Sequence, residues 1–355
     1  MNEQPSRSGI SRGTLAVVVI VTIGLVLAFV AYGWWSMQAE AMRGMAERPT
    51  AESDQTALEE LSAIATLFEE AIAEKKPVEP MLAPAQRLVE KYPDFAEART
   101  LLGQILRVQG RLAESIEQLE MSLKLNPQQP NLHEMAGQIE LERGELDRAT
   151  HHYRQAISLR PEDTRYRLFL AQVQLTQKDY DGARKTLLQA LSINSSEHKA
   201  YAMLSDLYAR QNKLELALDQ IQKAIENTPI LERELQVQYI RNRSMLLRRA
   251  NRPEEALLAL ESLTPKERAN LAVLADMATC WGMMGQPREA ALMYAEAYQN
   301  NPADYYMLEK SAEWWIRAND REQAEKFINR LRRFTPQSNA LAELEKKLAQ
   351  MPAEQ

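Results

Sequence analysis

Cysteine is almost absent from this sequence. Cys280 is the only one in 355 residues, which excludes an intramolecular disulfide and any metal site built on paired thiolates. Glycine is scarce, with 12 residues, and aromatics make up 6% of the chain. With helix formers dominant, that balance disfavours a sheet protein and points to an all-α chain. There is no excess of basic charge. The formal net charge is −6, so nothing favours nucleic acid as a partner. Histidine is confined to His133, His151, His152 and His198; no His-Glu-x-x-His run and no phosphate-cradling glycine loop occurs. His151 and His152 are adjacent, and neighbours on a helix point about 100° apart, which makes them a poor chelating pair. All four are expected as surface residues, with no metal and no cofactor. Cys280 precedes Trp281 and is expected to be a packed small residue, because no base partner accompanies it as a nucleophile would require. No catalytic residue is assigned and no enzyme activity is expected.

What the chain does have is periodicity. Between Ala96 and Asp163 one 34-residue pattern is written twice, aligning Gly103 with Gly137, Gly110 with Gly144, Leu112 with Leu146, and Pro127 with Pro161. A fixed period of that length marks stacked two-helix units, each lacking a face of its core until a neighbour supplies it. Within one unit, Leu102, Gly103 and Leu106 recur at helical spacing, and the small Gly103 permits close approach of a second helix. Gly110 ends that helix in the left-handed conformation. The second helix presents Ile116, Leu119 and Leu123 on one face, and Pro127 stops it.

These residues resemble the tetratricopeptide repeat. The second copy fits best, with Gly137, Gly144, Leu146, Ala149, Tyr153, Ala156 and Pro161 at matching positions, while His133 stands where the family usually has Trp. The fold this implies is a right-handed superhelical α-solenoid of helix-turn-helix repeats. Pro93, Pro127 and Pro161 recur at the same period, Ser195 takes the next position and Pro229 resumes the series. About five units are therefore expected over residues 57–231. The first of them is degenerate, with Lys75, Lys76 and Pro77 at its turn. The register then slips, since the step from Ala217 to Ala256 overshoots the period. Residues 232–338 are expected to hold one irregular unit with a shortened second helix before Pro265, and two further units closed by Pro302 and Pro336. A bend or widened groove is expected near residues 230–236. Residues 339–355 form a capping helix and tail.

Ahead of the repeats, residues 1–14 are a polar tail with Arg7 and Arg12. No charged residue occurs from Leu15 to Trp35, and a helix of that length reaches about 30 Å, enough to cross a bilayer core. Tyr32, Trp34 and Trp35 stand where an interfacial aromatic belt would sit. The expectation is an uncleaved transmembrane helix at 15–35, followed by a juxtamembrane helix and linker at 36–56. A cleaved signal peptide is the alternative, given the small pair Ala39 and Ala41. The expected localisation is that of a single-pass membrane protein with its repeats outside the cytoplasm; the cytoplasmic-facing orientation is the alternative, because the basic residues on the two sides nearly balance.

The resemblance also implies where a ligand would lie, since in this family the first helices line a concave groove. Projecting the groove positions places Gln104, Gln138 and Gln172 at one repeated site with Asp206 next, an amide ladder able to pair with an extended peptide backbone. It also places Arg241 and Arg248 one heptad apart on one face, with Lys199 in the preceding unit, a cluster suited to a carboxylate. The family's chaperone-type carboxylate clamp is not matched by Thr100, Gln104, Glu134 and Gln138. Trp281 and Trp315 fall at the repeated aromatic core position. Trp314 does not, and either packs under the final helix or forms an exposed anchor for a partner. Two functions are compatible with this reading. One is a membrane-tethered scaffold binding protein partners, held as extended peptide segments, in envelope assembly, secretion or maturation. The other is a non-catalytic regulatory subunit of a membrane enzyme. That second class resembles the repeat protein controlling lipopolysaccharide synthesis, whose rubredoxin-like zinc module has no counterpart here.

Overall fold

The computed structural model describes residues 52–352. All regular elements among them are helical: eighteen α-helices and one 3-10 turn. The expected membrane helix at 15–35 lies outside the described residues, and among those described no helix is long and apolar enough to cross a membrane. The chain divides into two compact units, one ending at Ile105 and one running from Leu106.

The first unit contains α1 (Glu52–Ala73), α2 (Glu79–Lys91) and most of α3 (Ala96–Val108). Ala57, Ile64 and Ala71, two turns apart, form the buried stripe of α1, and Ala85 and Leu88 that of α2. Lys91 Nζ reaches Glu60 Oε1 at 2.6 Å and ties the end of α2 to α1.

The second unit continues with α4 (Leu112–Leu125), α5 (Pro130–Glu142), α6 (Leu146–Leu159), α7 (Thr164–Thr176), α8 (Tyr180–Ile193), α9 (His198–Arg210) and α10 (Leu214–Asn227). A 3-10 turn at Ile230–Glu232 leads into α11 (Arg233–Arg249), α12 (Pro253–Glu261) and the single turn α13 (Pro265–Arg268). Then follow α14 (Leu271–Met283), α15 (Pro287–Asn300), α16 (Tyr305–Arg317), α17 (Arg321–Phe334) and α18 (Asn339–Ala349).

Every first helix of this unit that is followed by a second helix ends in the same turn. Gly110, Gly144, Lys178, Asn212, Asn251, Gly285 and Asn319 all have φ between 55° and 80°. The next residue in each case donates its N–H to a carbonyl five residues back, as in Arg111 to Leu106 at 2.9 Å and Asp179 to Gln174 at 2.8 Å. That bond defines a Schellman closure, which satisfies carbonyls the helix end leaves open. These turns recur at the period of the sequence repeat, except for the longer step from Asn212 to Asn251. The start of each following helix carries a small side chain. Ser115, Ala149, Ala183, Ala217, Ala256, Ala290 and Ala324 are all fully buried, so each second helix lies close against its neighbours. In the second copy the approach is closer still, since a Cβ on Gly137 would come within 2.9 Å of the Tyr153 ring.

The irregular unit accommodates its extra residues in two places. Its first helix, α11, has 17 residues where α5, α7 and α9 have 13, and its second, α12, has only 9. The single-turn α13 follows α12. Thr264 caps it in a capping box with Glu267, and Arg233 grips both Glu267 oxygens at 2.8 and 2.9 Å. That guanidinium holds the Glu267 carboxyl down at about 2. Downstream, α18 lays Leu341 and Leu344 into a core cluster with Leu308, Trp315 and Leu331.

Two stability measurements check this register. Lys178 is a side-chain-bearing residue in a left-handed turn, so Lys178→Gly should raise stability by about 0.5–1 kcal/mol after the entropy cost of glycine. Ala149→Phe, at a fully buried position, should cost about 1–3 kcal/mol. Urea unfolding of the repeat domain reads both, and an unchanged midpoint in either would contradict the assigned register.

Candidate first-helix face and histidine cleft

Successive first helices in the second unit bring their polar side chains together. Arg107 of α3 donates to Gln138 Oε1 at 3.1 Å and to Glu142 Oε1 at 2.8 Å, both on α5. Gln138 in turn donates to Glu134 at 3.0 Å. Two repeats further on, Asp206 is exposed and paired with Arg210 at 2.7 Å. Residues about one repeat apart therefore share one surface, as stacking of equivalent helices requires.

The four members of the amide row do not share one environment. Gln104 is half-buried in α3 within the first unit, and Gln138 is half-buried and engaged at both ends of its amide. Gln172 is exposed on α7. A uniform ladder of free amides is thus replaced by one occupied amide and one open amide, followed by an acid.

The arginine pair also differs from the expectation of an open cluster. Arg241 Nε and Arg248 Nη2 both reach Asp276 of α14, at 2.8 and 2.9 Å on separate oxygens. The carboxylate these arginines were expected to receive from a partner is supplied from within the chain. Two guanidinium groups on one carboxylate leave an excess of one positive charge, and Arg248 Nε is buried without a hydrogen-bond partner. Lys199 is exposed on α9. Asp276 lies 35 residues from Arg241 and 28 from Arg248, on the next first helix, so the contact spans one regular repeat and is made between helices rather than within one.

Trp314 is half-buried, and its indole lies over Gly282 of α14, where a Cβ would meet it at 2.3 Å. Arg317 stacks on the same ring at 4.4 Å. Its cover includes the preceding first helix, and it packs against the cluster that also holds Leu341 and Leu344 of α18. Trp315 and Cys280 are buried, and Trp281 is half-buried against the same cores. Burial raises the Cys280 thiol pKa, consistent with a packing residue.

The histidines correct the sequence reading most clearly. His133, His152 and His198 are all buried; only His151 is exposed. His133 of α5 and His152 of α6 face each other with their Nδ1 atoms 3.2 Å apart. They form the inner wall of a cleft of about 520 Å³ bounded by Glu120, Lys124, Asp147, Arg148 and His151. Beside it, the fully buried carboxylate of Glu140 is held by Arg143 at 2.7 Å and Arg148 at 2.9 Å. Burial pushes both imidazoles toward their neutral forms, with His152 brought down to about 4. Among the described residues no group of three or more His, Cys, Asp or Glu converges in a metal-holding arrangement.

Comparison with known proteins agrees with this geometry. A family model described as tetratricopeptide repeat matches residues 82–130 and 134–198, and a second of the same description matches 198–230. No curated protein matches the chain. Among solved structures, the C-terminal part of a TPR repeat-containing protein from Cytophaga hutchinsonii is similar at a TM-score of 0.56 and 12% identity, covering 68% of this chain and 97% of that one. A tetratricopeptide repeat protein from Parabacteroides merdae aligns at 0.51 and 15% identity, covering 71% and 98%. Likeness at that identity shows the fold alone.

The histidine pair gives the fold a pH dependence with a definite sign. His152 has its pKa lowered from 6.5 to about 4 by burial first and by the neighbouring His133 second. The unfolded chain binds its proton at higher pH than the folded one, so the stabilisation is complete above about 6.5 and is lost as pH falls toward about 4. His152→Gln should flatten the stability profile across that window. Urea midpoints measured from pH 7 to pH 4 check it, with parallel profiles for variant and parent as the contrary result.

Proposed function

Since this chain is a tetratricopeptide-repeat protein, we propose that it is a non-catalytic scaffold that binds an extended segment of a protein partner along its first helices. The observation carrying this reading is the continuity of the first-helix surface. Arg107 meets Gln138 and Glu142 across one boundary, and Arg241 and Arg248 meet Asp276 across another. A segment laid along such a surface meets alternating amide, acidic and guanidinium groups, which can pair with peptide backbone and with acidic side chains. Neutral hydrogen bonds exchanged against water contribute only about 0.5–1.5 kcal/mol each. Binding at the micromolar level follows.

The arginines then act through competition. An acidic side chain of the partner would share or displace Asp276, gaining charge-assisted bonds that two guanidinium groups can supply to two carboxylates. The chain is tethered by the apolar run 15–35, with the repeats outside the cytoplasm, where it would hold envelope proteins during assembly, secretion or maturation. The length and aromatic border of that run support this placement.

Affinity capture from detergent-solubilised membranes tests the site. Gln138→Ala combined with Gln172→Ala should weaken capture, and Arg241→Glu should weaken it further and remove its salt sensitivity. Asp276→Ala, which frees both guanidinium groups, should strengthen capture of an acidic segment. Equal capture by all these variants, each with a normal far-UV circular dichroism spectrum, would exclude the first-helix face. A reporter fused after Gln355 tests the tether: activity confined to the cytoplasm would reverse the orientation.

A further inference from the structure

The cleft at α5 and α6 takes no part in the first-helix face, and its two buried imidazoles are brought together from different helices. We propose that His133 and His152 form an open two-imidazole site for a divalent transition-metal ion of the zinc, cobalt and nickel class.

The spacing fits one ion. Two nitrogen ligands at 2.0–2.1 Å on a tetrahedral centre lie about 3.3–3.4 Å apart, and the two Nδ1 atoms are 3.2 Å apart. A hydrogen bond between the two Nδ1 atoms needs a proton on one and a lone pair on the other. Loading moves the bridging proton to Nε2 of its own ring, so both Nδ1 atoms present lone pairs to the ion and no net proton is released.

Access and limits are set by the same geometry. The cleft of about 520 Å³ opens on this pair and is bordered by the carboxylates of Glu120 and Asp147. Of the cations there, Arg148 is turned to Glu140 at 2.9 Å and to Glu120 at 3.6 Å. With no third protein donor converging among the described residues, the remaining coordination positions are filled by water, and affinity should be micromolar and exchangeable. Ring centroids 5.5 Å apart with Nδ1 atoms at 3.2 Å put the two rings nearly in line. Each ring must turn by about 35° to aim its lone pair at an ion seated off the axis of a tetrahedral site.

Titration of the full chain with Co²⁺ followed by visible absorption tests the proposal, with Zn²⁺ added afterwards as competitor. One equivalent should bind and be displaced by zinc. His133→Gln and His152→Gln should each weaken binding by at least about tenfold, whereas His151→Gln should change it less than threefold. Where a variant fails to fold, histidine proton resonances of the parent chain give the answer: substoichiometric Co²⁺ should shift those of His133 and His152 ahead of His151 and His198. No saturable binding below ~1 mM, or binding that depends on His151 and survives His152→Gln, would reduce the pair to a buried N–H···N hydrogen bond.

Discussion

The close contact of helix on helix through small side chains governs this molecule. A helix pair of 13 and 14 residues cannot enclose a core, and the buried alanines and serine along the second helices let the next pair come near enough to complete it. Everything else follows from keeping that contact in register. The left-handed turns set the angle at which each second helix returns, and the Schellman bonds make the return a closed hydrogen-bonded structure rather than a loose loop. Where the period slips, the chain restores register at once, with Arg233 and Glu267 bracing the junction.

Much of this fold was legible in the sequence because its determinants are local. Gly110 and Gly144 announce their turns, and Pro127 and Pro161 their helix ends, by backbone geometry that no neighbour alters. The turn at Lys178 was hidden, since lysine has no preference for positive φ and holds it only because the surrounding repeat imposes it. Asn212, Asn251 and Asn319 were better signals, asparagine tolerating that region more readily. The apolar run 15–35 is a feature of composition and lies outside the described residues.

The candidate sites were less legible because they depend on contacts between helices. Polarity suggests a surface residue, and His133 and His152 are polar; yet each is buried because the other provides its hydrogen-bond partner. His133 also occupies a position where a large ring packs, and an imidazole serves that packing role as an indole would. Asp276 neutralises part of the arginine pair from the next first helix, a contact set by how two helices face each other and not by the pattern within either. Gly282 gave no turn signal, and its absence of a side chain is explained only by the Trp314 ring lying over it.

The distribution of apolar cores has a consequence for how the second unit opens. Between α4 and α9 the buried side chains fall into small separate clusters, such as Ile116 with Leu132 and Ile139, or Ala171 with Leu187 and Leu204. From Ala209 onward two large clusters run on, sharing Trp281 and Met293 at their edges. In a one-dimensional array, cooperativity is the ratio of interface energy to the energy of a single unit. Amide protons of α4 to α9 can therefore exchange through the opening of one or two helix pairs, whereas those of α11 to α17 exchange only when several helices separate together. The slip in register thus stands beside a change of grain, from a stack that can part locally to a block that yields as a whole.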